Sequence, residues 1–266
     1  MSNETTSTGS NASLVRREWP HGVILGALFG ASAVVWNRVP AQMPTHWNIR
    51  GEVDGYGGRL EGLLLLPMIA LGLYVMLLVL PCLDPGRANY ASFAGPYTVI
   101  RLAMLALMLG IQVLVLAAAL GYAVNAGRWI PVGVGALFVV LGNVMGKVRP
   151  NYFVGIRTPW TLASARSWEK THRVGGRLFV VAGIALALAS VTGRPEALVA
   201  VGAFGAVSLV WLFYYSFTVW RGDTERVPVT GTKPEERAAS REPSPCPLPL
   251  KGARVLSGMA PDLRTA

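Results

Sequence analysis

The sequence predicts an all-α polytopic membrane protein: six transmembrane helices, with an amphipathic helix between the fourth and fifth spans. Three observations carry this. Of the 266 residues, 52% are hydrophobic and only 14% charged, against about 25% charged in soluble proteins. The charges are also segregated: Gly62–Leu83, Leu102–Gly127, Trp129–Gly146 and Ala197–Trp220 hold no charged side chain. Each run approaches or exceeds the ~20 residues that cross a bilayer. Lys and Arg, finally, concentrate in alternate loops. Together these exclude a soluble enzyme, a secreted disulfide scaffold and a disordered chain.

The first span is expected near Pro20–Val39, with a cleavable signal peptide behind Arg16 and Arg17 as the alternative reading. The second falls near Leu60–Leu83, the third near Thr98–Val124 and the fourth near Trp129–Val148. The fifth, near Val174–Gly193, is the weakest, because its uncharged run of 16 residues spans only if Arg177 snorkels. The sixth lies near Glu196–Trp220. An even number of spans places both termini on one side. With that side cytoplasmic, counting as far as Arg237, 15 Lys and Arg fall inside and 5 outside. The bias orients the chain, since basic residues collect in cytoplasmic loops. It also accounts for the net charge of +10 without nucleic-acid binding, for which no matching fold is present.

Residues 1–18 and 223–266 are expected to be disordered cytoplasmic ends, being rich in Ser, Thr, Pro and charge. Between them, residues 19–97 hold the first two spans and their loop, and 98–222 the four-helix remainder. Inside the spans chemistry is sparse. Arg101 is expected to snorkel to the cytoplasmic interface, and Gln112 and Asn143 to bond neighbouring helices. Gly22, Gly26 and Gly30 form a small-residue stripe, as do Gly142 and Gly146. Packing within the chain is the expected use of both stripes, with a homodimer face as the alternative for the first.

Two longer loops carry the distinctive residues. The outer one, Met43 to Arg59, is read as a compact loop. Asn48, Gly51, Asp54, Gly55 and Gly57 are its turn formers, and Trp47 and Tyr56 its interfacial anchors. His46, Glu52 and Asp54 are metal-ligating types, but one His and two carboxylates in a loop make no ligand set, so no metal or cofactor is expected. The inner one, Lys147 to Arg173, contains Asn151, Arg157 and a helix start at Thr158-Pro159. Beyond it an amphipathic helix places Arg166, Glu169, Lys170 and Arg173 on one face and Trp160, Ser164, Trp168 and Thr171 on the other, with a Glu169–Arg173 ion pair. Gly175-Gly176 is expected to break that helix before the fifth span. Ser164 and His172 stand about 12 Å apart along it, too far for a catalytic pair.

The inner loop resembles the signature of the SdpI immunity-protein family, through GN-x-MGKV-x-PN-x-F-x-GIRTPWTL over Gly142–Leu162 and W-x-KTHR-x-GG over Trp168–Gly176. The outer loop, P-x-HWN-x-x-G-x-x-DGYG-x-R, is similar to the small membrane domain of unknown function that often precedes that signature. The resemblance implies a multi-pass protein of the bacterial plasma membrane that gives resistance to a secreted peptide toxin and holds a transcriptional repressor at the membrane. The residues placed to meet such partners are His46, Trp47, Asn48, Gly51, Asp54 and Tyr56 outside, and Asn151, Arg157, Thr158, Trp160, Trp168, Thr171 and His172 inside. The other functional classes are a transporter, for which the spans offer mainly Gln112, and an intramembrane enzyme, for which no pair of residues has suitable spacing. A reporter active only outside the cytoplasm should be active when fused after Glu52 and silent after Ser164; the reverse pattern overturns the charge count.

Overall fold

The computed structural model of the chain describes residues 5–48 and 51–225, with side chains from Glu18 onward. The described residues contain six helices long and apolar enough to cross a membrane. They are α1 (Thr5–Val35), α2 (Arg59–Leu83), α3 (Ala94–Ala119), α4 (Ala126–Met145), α6 (Ala165–Thr192) and α7 (Pro195–Arg221). The chain is an all-α polytopic membrane protein, as its composition predicts. A single-turn helix, α5 (Pro159–Leu162), precedes α6, and a 3-10 segment (Arg87–Phe93) precedes α3.

Several features differ from expectation. Helix α1 begins at Thr5, so residues 5–18 are helical rather than disordered. The outer loop is a β-hairpin: β1 (Gln42–Trp47) pairs antiparallel with β2 (Val53–Gly58), with irregular register around His46. No separate amphipathic helix lies before the fifth span, because α6 runs unbroken from Ala165 through Gly175-Gly176. Its polar and apolar faces are as expected, but the apolar one covers protein rather than lipid, with Trp168 and Thr171 fully buried. Glu169 pairs with Arg149 at 3.4 Å, not with Arg173. The expected tail from 223 lies outside the described residues beyond Glu225.

The helices pack as two groups joined in the middle. Helices α1, α2 and α3 contact one another, α3 meets α4, and α4, α6 and α7 follow in series. The α4–α6 contact is the most extensive, and glycines create it. A Cβ on Gly142 would lie 2.5 Å from the Gly176 carbonyl oxygen, and one on Gly176 would lie 2.6 Å from that of Gly142. Gly135 and Gly183 repeat the arrangement one heptad away, at 2.5 and 2.4 Å. Two antiparallel backbones thus touch where side chains are missing, the close approach that small residues permit between membrane helices. Gly22, Gly26 and Gly30 contradict the packing expected of them: nothing lies within 4 Å of a Cβ at any of the three.

Polar groups tie α1, α2 and α3 together. Gln112 Nε2 donates to Ser32 Oγ at 3.0 Å and to the Leu63 carbonyl at 3.3 Å, as a mid-membrane amide should. Asn143 instead donates to its own helix, at Val139 O, 2.9 Å away. Arg101 does not snorkel. It is 3% exposed and holds Glu18 through two bonds of 2.9 and 2.8 Å, with the Tyr74 hydroxyl donating to the same carboxylate at 3.0 Å. Its guanidinium also lies over the Tyr74 and Tyr97 rings. A buried Arg needs such neutralisation, and the partner comes from 83 positions away in sequence.

Gly142→Leu should therefore separate α4 from α6 and cost about 3 kcal/mol, the upper range for an overpacked contact. Gly26→Leu, with open space around it, should leave the thermal unfolding midpoint in detergent unchanged. Equal midpoints for the two variants would refute the packing assigned to α4 and α6.

Candidate functional site

The residues singled out from the sequence fall into two groups on opposite faces of the bundle. On one face the hairpin folds over the connection between α3 and α4. Asn48 and Glu52 close its turn: Asn48 N donates to Glu52 O at 2.9 Å, Glu52 N to Asn48 Oδ1 at 3.0 Å, and Asn48 Nδ2 to Glu52 Oε2 at 2.8 Å. Gly51 takes φ +82°, and a Cβ there would meet Asn125 Oδ1 at 2.6 Å. Both conditions select glycine. Asn125 caps α4 by accepting from Arg128 N, so the hairpin tip rests on a helix start. Trp47 turns inward, lining a small pocket of about 200 Å³ with Ile130, Pro131 and Leu198, and so is a packing residue rather than an interfacial anchor. His46, Asp54 and Tyr56 stay at the surface, with His46 Nδ1 2.5 Å from Asp54 Oδ1. Glu52 is taken up by Asn48, so His46, Glu52 and Asp54 do not converge as a ligand set.

On the other face, residues 147–164 form a knot of irregular backbone held by side chains. Asn151, fully buried, bonds four backbone groups. Its Nδ2 donates to Arg149 O and Val154 O at 2.8 and 3.0 Å, and its Oδ1 accepts from Phe153 N and Val154 N at 2.9 and 2.6 Å. Asp84, at the end of α2, reaches across to the same loop. It accepts from Gly86 N at 2.6 Å, the Tyr90 hydroxyl at 2.9 Å and Tyr152 N at 3.0 Å. Asn89 Nδ2 adds a bond to Pro150 O at 2.7 Å. Arg157, exposed, turns its guanidinium back to donate to the Tyr152 carbonyl.

His172 is the internal brace. Its Nε2 accepts from Ile156 N at 2.9 Å, and its Nδ1 lies 2.8 Å from the Trp168 carbonyl, to which it donates. Those bonds require the neutral ring protonated on Nδ1. The ring stacks on Trp168 at 4.0 Å, and Trp168 Nε1 donates to Val148 O at 2.9 Å. Gly155 passes directly over the ring at φ +115°, where a Cβ would stand 2.3 Å from Nε2. The GIR and THR parts of the signature are therefore two halves of one contact.

Thr158 and Thr161 make the capping box of α5: Thr161 N donates to Thr158 Oγ1 at 3.1 Å, and Thr158 N to Thr161 Oγ1 at 2.9 Å. The Ser216 hydroxyl gives its proton to Phe213 O, so Thr158 Oγ1, 2.9 Å away, is the donor to Ser216 Oγ. Trp160 packs between Phe213 and Phe217, and Ser167 Oγ donates to Ser216 O at 2.9 Å. Ser164 caps α6 and donates to Asp223 Oδ2 at 2.5 Å. Thr171 is buried with no hydrogen-bond partner for its hydroxyl. Of the group expected on this face, only Arg157 offers an exposed polar head. Asp84, Ser216 and Asp223 were not legible as site residues. The first reads as the stop after a span, before Pro85-Gly86, and the others as a lone span serine and a post-span acid.

The sequence of both faces matches known families. The model of the SdpI/YfhL protein family matches residues 147–216, which begin at the knot and run through α5, α6 and most of α7. A domain of unknown function, DUF1648, matches residues 23–71, covering the C-terminal part of α1, the hairpin and the first half of α2. The chain carries an SdpI-family region behind a DUF1648 domain. It is similar to the Immunity protein SdpI of Bacillus subtilis (strain 168), 26% identical over 168 residues, which cover 63% of this chain and 78% of that protein. No solved structure matches it. Within the SdpI-family region the signature residues are structural in a specific sense: Asn151, Gly155, Thr158, Trp168 and His172 each satisfy or admit backbone in the knot.

Gly155→Ala should cost about 3 kcal/mol, since it meets both a strained φ and the His172 ring. His172→Ala should cost about 2 kcal/mol by orphaning the Ile156 N–H. The double variant should lose less than the sum, because removing the ring relieves the clash. Strict additivity in detergent unfolding would dissolve the contact.

Proposed function

We propose that this chain is a membrane immunity and signalling protein of the bacterial plasma membrane. It protects its host from a secreted antimicrobial peptide toxin and retains a transcriptional repressor at the membrane while toxin is present. The observation that carries this is the similarity to the Immunity protein SdpI over 78% of that protein. The charge count supports the orientation, with the hairpin outside and the knot and both termini in the cytoplasm.

The two faces fit those roles differently. On the hairpin, His46, Asp54 and Tyr56 project from a rigid ribbon and offer an imidazole, a carboxylate and an aromatic ring to a peptide. Trp47, Asn48 and Gly51 hold that ribbon in place. On the knot, Arg157 is one exposed cation at a cytoplasmic surface, and Asn151, Thr158, Trp160, Trp168, Thr171 and His172 shape the backbone beneath it. Gln112 and Arg101 of α3 bond side chains of α1, which supports a receptor more than a conduit.

Expression in a toxin-sensitive bacterium, challenged with candidate secreted peptides, tests the reading. The wild-type chain should raise survival. Tyr56→Ala should reduce protection at unchanged membrane abundance, and Arg157→Ala should reduce induction of a repressor-controlled reporter more than it reduces abundance. Failure of the wild-type chain to protect against any peptide that the Immunity protein SdpI resists removes the immunity reading.

A further inference from the structure

We infer that the crevice between the knot-side ends of α4 and α6 is a binding site for the headgroup of an anionic phospholipid. The two helices touch backbone to backbone at Gly142 and Gly176. Beside that contact a crevice of about 530 Å³ runs along the two helices. Its rim carries Lys147, Arg173 and Arg177, and its wall Asn143, Val180 and Val181.

Three features favour a lipid phosphate. First, none of the three cations has a carboxylate within 4.0 Å among the described residues. The nearby acid on the same helix, Glu169, is engaged by Arg149. Three converging cations without a counter-charge are a site for an anion, and two guanidiniums suit phosphate oxygens especially. Second, Asn143 stands exposed one turn inside Lys147, with only its own Val139 carbonyl as partner. An amide facing hydrocarbon is unfavourable unless it finds further hydrogen bonds, and a headgroup at this depth supplies them. Third, the crevice continues past Arg177 into an apolar wall, where Val181 is 53% exposed. That wall has a use for an acyl chain and none for a free ion. Basic pockets between membrane helices are where anionic headgroups dock.

The test is native mass spectrometry of the full chain in detergent, equilibrated with phosphatidylglycerol or with phosphatidylcholine of the same acyl chains. The wild-type protein should retain phosphatidylglycerol at least about tenfold more than phosphatidylcholine, from about fivefold for each cation. Lys147→Gln with Arg173→Gln and Arg177→Gln should abolish that preference. Arg38→Gln with Arg128→Gln and Arg194→Gln, equal in charge but on the hairpin face, should keep it. Arg177→Gln alone, which leaves the helix contact untouched, should reduce it about fivefold and guards against misfolding of the triple variant. Equal retention of both lipids by the wild type, or an unchanged preference in the triple variant, overturns the site. Displacement of the lipid by inorganic phosphate at the same concentration also overturns it, by showing a free-anion site.

Discussion

Irregular backbone packed inside a protein needs a partner within the protein for each polar group that it buries. The rest of this structure depends on how that constraint is met between α4 and α6. Twelve residues, Gly146 to Arg157, follow no regular pattern, and side chains take the place of a helical ladder. Asn151 bonds both strands of its own turn, Asp84 brings a carboxylate from the end of α2, and His172 offers one ring nitrogen to Ile156. Each belongs to a different segment, so the knot fastens α2, α4, α6 and, through Thr158 and Ser216, α7 to one another. A substitution there loosens four helices at once.

The spans were legible because the bilayer imposes length and apolarity on contiguous residues, which a sequence displays directly. The helix start at Thr158-Pro159 was legible because a cap is a local device. What was not legible depends on partners distant in sequence. Arg101 reads as a snorkelling cation until Glu18 is set beside it. Trp168 reads as a lipid anchor on an amphipathic face until Val148 is seen to occupy that side and to accept from its indole N–H. The outer loop reads as turns because it is rich in glycine, which weakens strand propensity. Its pairing is secured by the Asn48–Glu52 closure and by contact with α4, neither visible in composition. The inner-loop residues singled out from the sequence mostly hold backbone rather than present side chains, a role that depends on partners elsewhere in the fold.

Glycine shows how far spacing can mislead. Gly22, Gly26 and Gly30 have the more familiar four-residue spacing, yet they face outward. The glycines that matter for packing, Gly135 and Gly142 against Gly176 and Gly183, recur at seven. Seven residues are two turns of helix, so each pair returns to the same face. In an antiparallel pair the rising number on one helix matches the falling number on the other. No single helix reveals this; the pattern exists only between the two.

That contact also bears on how the two faces are connected. The hairpin tip rests on Asn125 and Gly127 at the start of α4, and the knot is braced by Trp168 and His172 at the start of α6. Helices α4 and α6 run antiparallel between those points, with carbonyls and Cα atoms in direct contact at two levels. Backbone in contact with backbone has no rotamers to absorb a displacement, whereas interleaved side chains do. The hairpin tip and the knot therefore rest on the two ends of one helix pair joined through backbone, so α4 and α6 shift less freely against each other than helices held by side chains would.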